Sequence, residues 1–253
     1  MEPAGRHALV TGGGRGIGAA IAAALTGAGA VVTVLGRQAA PLLETVAAGH
    51  AAAHVLADVT DAAALRAAIS QAEVQNGPLS ILVNNAGAAE SAPFARTDRA
   101  IWDRMLAINL TAVFETTHAV LPGLLARGWG RVVTVASTAG LIGYPYVAAY
   151  VAAKHGVVGL TRALALETAK SGVTVNAICP GFTDTDLMRD SVRTIMSKTG
   201  LTEAQATEKL TRGNPQGRLI APAEVAAVAL FLCGPGSDAM TGQAIAVAGG
   251  EVM

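Results

Sequence analysis

Charged residues are scarce in this chain of 253 residues, and neither sign of charge prevails. Charged residues make up 14% of the sequence, and 18 Lys and Arg balance 18 Asp and Glu, so the formal net charge is zero. A neutral chain lacks the basic surface that attracts nucleic acids and anionic membranes. We therefore expect neither nucleic acid nor membrane among its partners.

Cysteine and long apolar runs are also scarce. Cys179 and Cys233 are too few for a disulfide framework and are not spaced as a zinc pair. The five histidines show no ligand spacing, so no metal site is predicted. The segment Met1–His7 lacks the features of a signal peptide, and apolar runs stop short of the ~20 residues that a membrane span needs. These absences predict a soluble, cytoplasmic protein.

Apolar residues, by contrast, make up 52% of the chain, which excludes a disordered polyelectrolyte. The length fits one large α/β domain and is short for two domains with separate cores. A monomer this rich in apolar residues would expose apolar patches, so self-association is predicted.

Short β-branched runs alternate with alanine-rich helical stretches, a pattern typical of βαβ units on a parallel sheet. Strands buried on both faces are continuously apolar, as residues 31–35 and 132–135 nearly are. Seven strands are predicted, at about His7–Thr11, Ala30–Leu35, His54–Leu56, Ile81–Asn84, Arg131–Val135, Thr174–Ile178 and Ala244–Val247. Helices are predicted at about Ile17–Ala28, Ala40–Ala48, Ala62–Gln75, Asp98–Ala126, Ala148–Ser171 and Ala223–Cys233. This pattern predicts a single α/β domain over residues 1–253, with a doubly wound parallel sheet and helices on both faces.

One segment, at about residues 182–216, interrupts this alternation. It has no strand signal, and it contains two Thr-, Glu- and Ala-rich helical stretches with balanced charges. Segments this long between elements of a compact domain usually bind or cover a ligand. We predict a substrate-binding lid here, and a peripheral helical hairpin is the alternative.

A glycine-rich turn, Thr11–Gly18, directly follows the first strand and opens a helix. Glycines permit positive φ and let backbone N–H groups approach a pyrophosphate at the positive end of the helix. The turn is therefore predicted to bind a nucleotide cofactor through Gly12, Arg15, Gly16, Ile17 and Gly18.

The end of the second strand bears on the choice of cofactor. An acidic residue there would bind the adenosine ribose 2′-hydroxyl, but residues 35–37 contain Arg37 and no carboxylate. Arg37 and Arg15 could both pair with a 2′-phosphate, so NADP(H) is favoured over NAD(H). If Arg37 is an ordinary solvated arginine, NAD(H) is the alternative. Residues at the ends of the next two strands are predicted to contact adenine and ribose: Asp58, Val59, Asn85, Ala86 and Gly87.

Ser137, Tyr150 and Lys154 predict acid–base chemistry. Tyr150 and Lys154 are four residues apart in a helical pattern, so their side chains share one helix face. Ser137 follows the fifth strand. A phenol with an ordinary pKa of about 10 exchanges protons poorly at neutral pH, and an adjacent ammonium would lower that pKa.

Together these motifs resemble the short-chain dehydrogenase/reductase family over nearly the whole chain. The motifs that carry the resemblance are Thr11–Gly18, Asp58-Val59, Asn84–Gly87, Asn109, Ser137, Tyr150 with Lys154, Pro180-Gly181 and Thr185. The resemblance implies a Rossmann-like sheet of seven strands in the order 3-2-1-4-5-6-7. It also implies a homotetramer, and a homodimer is the alternative.

The resemblance assigns roles to individual residues. Tyr150 is the implied catalytic acid/base, Lys154 lowers its pKa and binds the nicotinamide ribose, Ser137 orients the substrate oxygen, and Asn109 holds a water that links Lys154 to solvent. The residues expected to border the nicotinamide are Pro180, Gly181, Thr183 and Thr185. Tyr144, Tyr146 and Phe182 are predicted to form the substrate-pocket wall, with plain packing as the alternative.

Residues 136–140 and 154–159 are similar to bacterial β-ketoacyl and polyketide ketoreductases. The expected function is therefore that of an NAD(P)(H)-dependent oxidoreductase that interconverts a ketone and a secondary alcohol by hydride transfer. The expected substrate is a 3-oxoacyl thioester or a polyketide-type ketone. One alternative is a dehydrogenase of a free secondary alcohol or hydroxy acid. From a different class, a non-catalytic cofactor-binding regulator is the remote alternative.

Overall fold

Seven parallel strands form one sheet in the computed structural model, which describes residues 3–253 apart from the side chain of Leu187. The strands are β1 His7–Thr11, β2 Val31–Gly36, β3 Ala53–Leu56, β4 Leu79–Asn84, β5 Gly130–Val135, β6 Val173–Pro180 and β7 Ala244–Val247. Their order is β3-β2-β1-β4-β5-β6-β7. The predicted fold class and strand order are therefore confirmed.

Helices cover both faces of this sheet. They are α1 Gly16–Gly27, α2 Ala39–Ala47, α3 Ala62–Asn76, α4 Arg99–Leu106, α5 Ala112–Arg127, α6 Ala148–Thr168, α7 Asp186–Thr199, α8 Glu203–Thr211 and α9 Pro222–Cys233. Successive strand residues point to opposite faces. Val10 accordingly packs against α1 and α9 on one face of the sheet, whereas Leu9 packs against α3 and α5 on the opposite face. Both residues are fully buried, which explains why the strands lack alternating polar residues.

The predicted continuous helix Asp98–Ala126 requires a correction. Between α4 and α5 lies a π-helical turn, Ala107–Thr111, which widens the helix. Such turns are often found at functional sites. Here the turn contains Asn109, which is fully buried.

The segment that interrupts the strand pattern contains α7 and α8. Met188, Val192 and Ala206 form a buried apolar cluster of their own, with Phe182 packed against it. Thr185 caps α7, and Thr202 with Gln205 forms a capping box at the start of α8. The segment is thus a helical hairpin with its own small core.

Two kinds of feature are absent from the described residues. No helix in residues 3–253 combines the length and the apolar character needed to cross a bilayer. Within the same residues, no group of three or more His, Cys, Asp or Glu side chains is arranged to hold a metal ion.

Candidate active site

A cleft of about 510 Å³ lies beyond the carboxyl ends of the central strands. Its volume is within the range of about 300–1,000 Å³ that is typical of small-molecule and cofactor sites. The residues from the sequence prediction that line it are Gly12, Arg15, Gly16, Ile17, Arg37, Val59, Asn85, Ala86, Gly87, Asn109, Tyr150, Lys154 and Thr185. The structure therefore brings most of the predicted cofactor residues together with three of the predicted catalytic residues.

Other predicted cofactor residues are not among those that line the cleft: Gly18, Asp58, Pro180, Gly181 and Thr183. Gly18 has a packing reason to be glycine, because a Cβ there would lie 2.2 Å from the Gly12 carbonyl oxygen. Gln38, Leu42 and Ile108 line the cleft and were missed by the sequence analysis. Gln38 caps α2, Leu42 lies within α2, and Ile108 lies in the π-helical turn, and none of the three belongs to a recognisable sequence motif.

The glycine-rich turn is joined to the turn after β4. Gly12 and Gly16 have φ values of +65° and +53°, which favour glycine. The Thr11 hydroxyl accepts hydrogen bonds of 3.0 Å from the backbone N–H groups of Asn85 and Ala86. The Asn85 amide in turn donates to the carbonyl oxygens of Thr11 and Gly12. Asn85 therefore shapes one wall of the cleft by fixing two loops together.

Both arginines predicted to bind a phosphate line the same cleft, and each has a partner on the protein. The Arg15 guanidinium donates to the Gln38 side-chain oxygen. Arg37 forms an ion pair with Asp58, 3.6 Å from nitrogen to oxygen, in which both side chains are substantially exposed. Asp58 also accepts hydrogen bonds from Thr60, and these bonds are the main reason that its pKa is lowered. Exposed pairs of this kind contribute little to stability, so an anion can compete for either guanidinium.

Ser137 and Lys154 both lie near Tyr150. Ser137 follows β5 and caps a short 3₁₀ turn by accepting from the Ala139 N–H at 3.1 Å. It also lies close enough to the Tyr150 phenol to lower the pKa of that phenol. Lys154, one helical turn further along α6, is 5% exposed. Its Nζ atom lies 5.6 Å from the centroid of the Tyr150 ring. Lys154 Nζ donates to the Val135 carbonyl oxygen at 2.9 Å.

The net shift of the Tyr150 pKa is upward, opposite to the direction expected from the neighbouring Lys154. Burial raises the pKa of the Tyr150 phenol above its usual value, and the nearby Ser137 offsets this only in part. Burial also lowers the pKa of Lys154 to about 8. Since desolvation disfavours both charged forms, the phenol stays protonated at neutral pH and suits the role of a proton donor.

Asn109 links the π-helical turn to the loop after β4. Its side-chain amide donates to the carbonyl oxygens of Ala88, at 2.8 Å, and Met105, at 3.0 Å. Its side-chain oxygen accepts from the Ala88 N–H at 3.3 Å. A Cβ on the neighbouring Gly87 would lie 2.8 Å from that oxygen and 3.9 Å from Lys154 Nζ. Asn109 therefore holds the loop against the cleft and close to Lys154.

The three aromatic residues predicted to line the substrate pocket, Tyr144, Tyr146 and Phe182, are not among the residues that line the cleft. Tyr144 and Phe182 pack edge to face, with ring centroids 6.2 Å apart. The Tyr144 hydroxyl contacts Thr138 Oγ1 at 2.8 Å and donates to Glu251 Oε1 at 2.7 Å. Tyr146 is 63% exposed, and its carbonyl oxygen accepts from the Ala92 N–H. Glu251 was missed because 107 residues separate it from Tyr144.

The cleft fits a nicotinamide dinucleotide with a 2′-phosphate. Because Gly16 has no side chain, the space between the turn and Thr185 stays open; a Cβ at Gly16 would lie 3.1 Å from the Thr185 methyl group. The start of α1 presents backbone N–H groups, which suit a pyrophosphate. Arg15 and Arg37 both line the cleft, and Arg15 donates to Gln38, the residue that follows Arg37.

Comparisons with known proteins agree with this geometry. A family model described as short chain dehydrogenase matches residues 6–195. The chain is 42% identical to D-beta-hydroxybutyrate dehydrogenase of Cupriavidus necator, over 90% of each chain. It is 37% identical to acetoacetyl-CoA reductase of Shinella zoogloeoides, over 97% of this chain and 98% of that one. A crystal structure of a point variant of actinorhodin polyketide ketoreductase with NADPH superposes with a TM-score of 0.92 at 38% identity, covering 97% of both chains.

Proposed function

The chain belongs to the short-chain dehydrogenase/reductase family, and from that premise we propose that it reduces a ketone to a secondary alcohol with NADPH. The Tyr150 phenol carries this proposal. It lies near Ser137, lines the cleft beside Lys154, and is kept protonated by its raised pKa. A protonated phenol beside a second hydroxyl can hold a carbonyl oxygen and donate a proton to it.

Each member of the site has a distinct task in this proposal. Ser137 and Tyr150 orient the carbonyl oxygen, and Tyr150 gives it a proton. The Lys154 ammonium stabilises the negative charge that this transfer leaves on the phenol. When bound, NADPH supplies the hydride, so that a ketone, NADPH and one proton become a secondary alcohol and NADP⁺.

The cofactor site in this proposal comprises the glycine-rich turn, the two arginines and the turn after β4. Arg15 and Arg37 bind the 2′-phosphate, and Lys154 binds the nicotinamide ribose. The crystal structure of the actinorhodin ketoreductase variant with NADPH supports this preference. NAD(H) is the alternative cofactor.

The proposed substrate class is a 3-oxoacyl thioester or a polyketide-type ketone. The names acetoacetyl-CoA reductase and polyketide ketoreductase among the similar proteins support it. Oxidation of a free hydroxy acid is a second candidate, because a relative at 42% identity is named D-beta-hydroxybutyrate dehydrogenase.

The proposal extends to the whole chain. Residues 182–216 act as a substrate-binding lid on a single domain, supported by the separate core of α7 and α8 and by Asp186 and Asp190 at the cleft. Two free cysteines support a reducing cytoplasm as its location. Exposed apolar side chains on the outer helices support a homotetramer or a homodimer.

The test is consumption of NADPH, followed by absorbance, with 3-oxoacyl thioesters, 3-oxo esters and cyclic ketones. Wild-type protein should turn over at least one of these classes. Tyr150→Phe should lower kcat by at least ~100-fold, because general acid catalysis contributes about 10²–10⁴. NADPH affinity, measured on the same variant, should be retained. Near-normal turnover by Tyr150→Phe would exclude Tyr150 as the proton donor.

A further inference from the structure

We propose that Glu251 determines substrate specificity: its carboxylate, held by Tyr144, disfavours anionic ketone substrates and directs the site toward uncharged ketones. This inference rests on the proposed function, since it concerns the substrate of the same site. It also decides between the two substrate candidates, because a free 3-oxo acid is an anion at neutral pH and a thioester or a neutral ketone is not.

The position of the carboxylate is set by close packing. A Cβ on Gly181 would lie 2.9 Å from Glu251 Oε2, and a Cβ on Gly213 would lie 3.3 Å from Oε1. The carboxylate thus occupies the space that side chains at these two positions would take. Gly181 directly follows β6, and Gly213 lies just beyond α8. Glu251 therefore lies between the end of β6 and the end of the proposed lid.

The C-terminal segment is shaped to deliver Glu251 to this place. Gly249 and Gly250 have φ values of +61° and +91°, a conformation that other residues rarely adopt. A Cβ on Gly249 would lie 2.1 Å from the Asn214 side-chain oxygen, so this close approach also requires glycine. The Glu251 N–H then donates to the Ala248 carbonyl oxygen at 3.2 Å.

Tyr144 connects Glu251 to the reacting groups. Its hydroxyl donates to Glu251 Oε1 at 2.7 Å and contacts the Thr138 hydroxyl, which follows Ser137 in the chain. The Tyr144 phenol also lies within electrostatic range of the Tyr150 phenol. The Glu251 carboxylate is therefore hydrogen-bonded to Tyr144, whose phenol interacts electrostatically with that of Tyr150, the proposed proton donor.

Within the described part of the chain, no ion pair of 4.0 Å or less includes Glu251. Phe182 packs against the Tyr144 ring and adds no charge. A substrate carboxylate brought beside Tyr144 would meet this like charge in a partly buried place, where screening is weak. Repulsion of this kind is a common means of rejecting unwanted ligands.

The test uses two ketones that share a carbon skeleton and differ in charge, 3-oxobutanoate and its methyl ester. The measured quantity is the ratio of kcat/KM for the ester to that for the anion, at saturating NADPH. Wild type should favour the ester. Glu251→Gln should reduce the ratio by at least ~10-fold, which corresponds to about 1.4 kcal/mol of differential transition-state stabilisation. Glu251→Lys should reduce it further.

Glutamine is the informative substitution because it keeps the size of glutamate and the oxygen that accepts from Tyr144. The matched control is Glu167→Gln, which removes one negative charge from an exposed position on α6. This control should leave the ratio within about twofold of wild type, since exposed charges are well screened. A wild-type preference for the anion, or a ratio in Glu251→Gln equal to that of the control, would overturn the proposal.

A binding measurement separates this proposal from the proposed reaction. NADPH-loaded Tyr150→Phe and Tyr150→Phe/Glu251→Gln proteins are titrated with the two ketones by calorimetry. Tighter binding of the ester, lost on removal of the Glu251 charge, supports the role of Glu251 even if neither ketone is turned over. Equal charge discrimination by both proteins rejects that role even if ketone reduction is established.

Discussion

Arg37 is the residue that reports most directly on the choice of cofactor. It lines the cleft and pairs loosely with Asp58, 3.6 Å away. Arg37→Asp would place a carboxylate near Asp58 and near the site proposed for the 2′-phosphate. We expect the KM for NADPH to rise by at least ~10-fold and the KM for NADH to change little, because a bidentate guanidinium–phosphate pair contributes a few kcal/mol.

The matched control for this substitution is Arg66→Asp, which replaces an arginine of similar exposure that pairs with Glu115 at 3.5 Å. Steady-state kinetics with both cofactors should show no change in preference for this variant. A wild-type kcat/KM for NADH that equals or exceeds that for NADPH would reject the NADP(H) assignment and leave Ser137, Tyr150 and Lys154 unaffected.

Lys154 should make the reduction dependent on pH. Burial lowers its pKa to about 8, so the ammonium is present below this pH and is lost above it. The neutral amine cannot stabilise the charge left on Tyr150, whereas the raised pKa of Tyr150 keeps the phenol protonated over the same range. We expect kcat/KM for the ketone to be constant below about pH 8 and to fall about tenfold per unit above it.

A pH–rate profile between about pH 6 and pH 10, at saturating NADPH, measures this dependence. In Lys154→Arg the guanidinium remains charged, so any residual activity should persist above pH 8. A flat wild-type profile would show that the charge on Lys154 does not limit the reaction.

At the scale of residues, the sequence predicted which side chains lie close together more accurately than it predicted the directions of their pKa shifts. The spacing of Tyr150 and Lys154 and the position of Ser137 after a strand are local patterns, and the structure brings these side chains together. The direction of the Tyr150 pKa shift was wrong, because burial is set by tertiary packing. The partner of Tyr144 lies 107 residues away, beyond any local pattern.

At the scale of elements, the π-helical turn Ala107–Thr111 has a testable role. Asn109 makes three hydrogen bonds from it to the backbone of Ala88 and Met105. Asn109→Ala should destabilise the fold by about 1–3 kcal/mol, since buried backbone groups lose their partners. It should also weaken NADPH binding, because the loop beside Gly87 would no longer be fixed at the cleft.

Asn176→Ala is the matched control for the second effect. Asn176 is equally buried, and its side chain bonds the backbone of Met240 and Gln243 away from the cleft. Thermal unfolding should show a similar loss in both variants, and fluorescence titration should show weaker NADPH binding only for Asn109→Ala. NADPH affinity equal to wild type in Asn109→Ala would refute the proposed link between the turn and the cleft.

The region from α4 to α5 also shows where sequence patterns fail at this scale. Strands were located to within one or two residues at most ends, because β-branched apolar runs are bounded by turn residues. One continuous helix was predicted over Asp98–Ala126, since a single extra residue barely alters a 3.6-residue period over so long a stretch. Asn109 was therefore identified through resemblance alone.

For the whole molecule, exposed apolar side chains predict self-association. Phe114 on α5 is 48% exposed and Leu166 on α6 is 82% exposed. Light scattering coupled to size-exclusion chromatography should give a mass of two or four chains. Leu166→Glu should lower that mass, because it places a charge at an exposed apolar position of α6. A wild-type mass of one chain would contradict this prediction.

The separate apolar cluster of α7 and α8 means that backbone amides will not exchange with solvent deuterium uniformly across the molecule. Met188, Val192 and Ala206 pack with one another, whereas the sheet belongs to larger clusters. A small core of this kind opens at a lower free energy than the surrounding sheet. The amides of α7 and α8 should therefore exchange together, as one cooperative unit, while those of β1 and β4 remain protected until the whole chain unfolds.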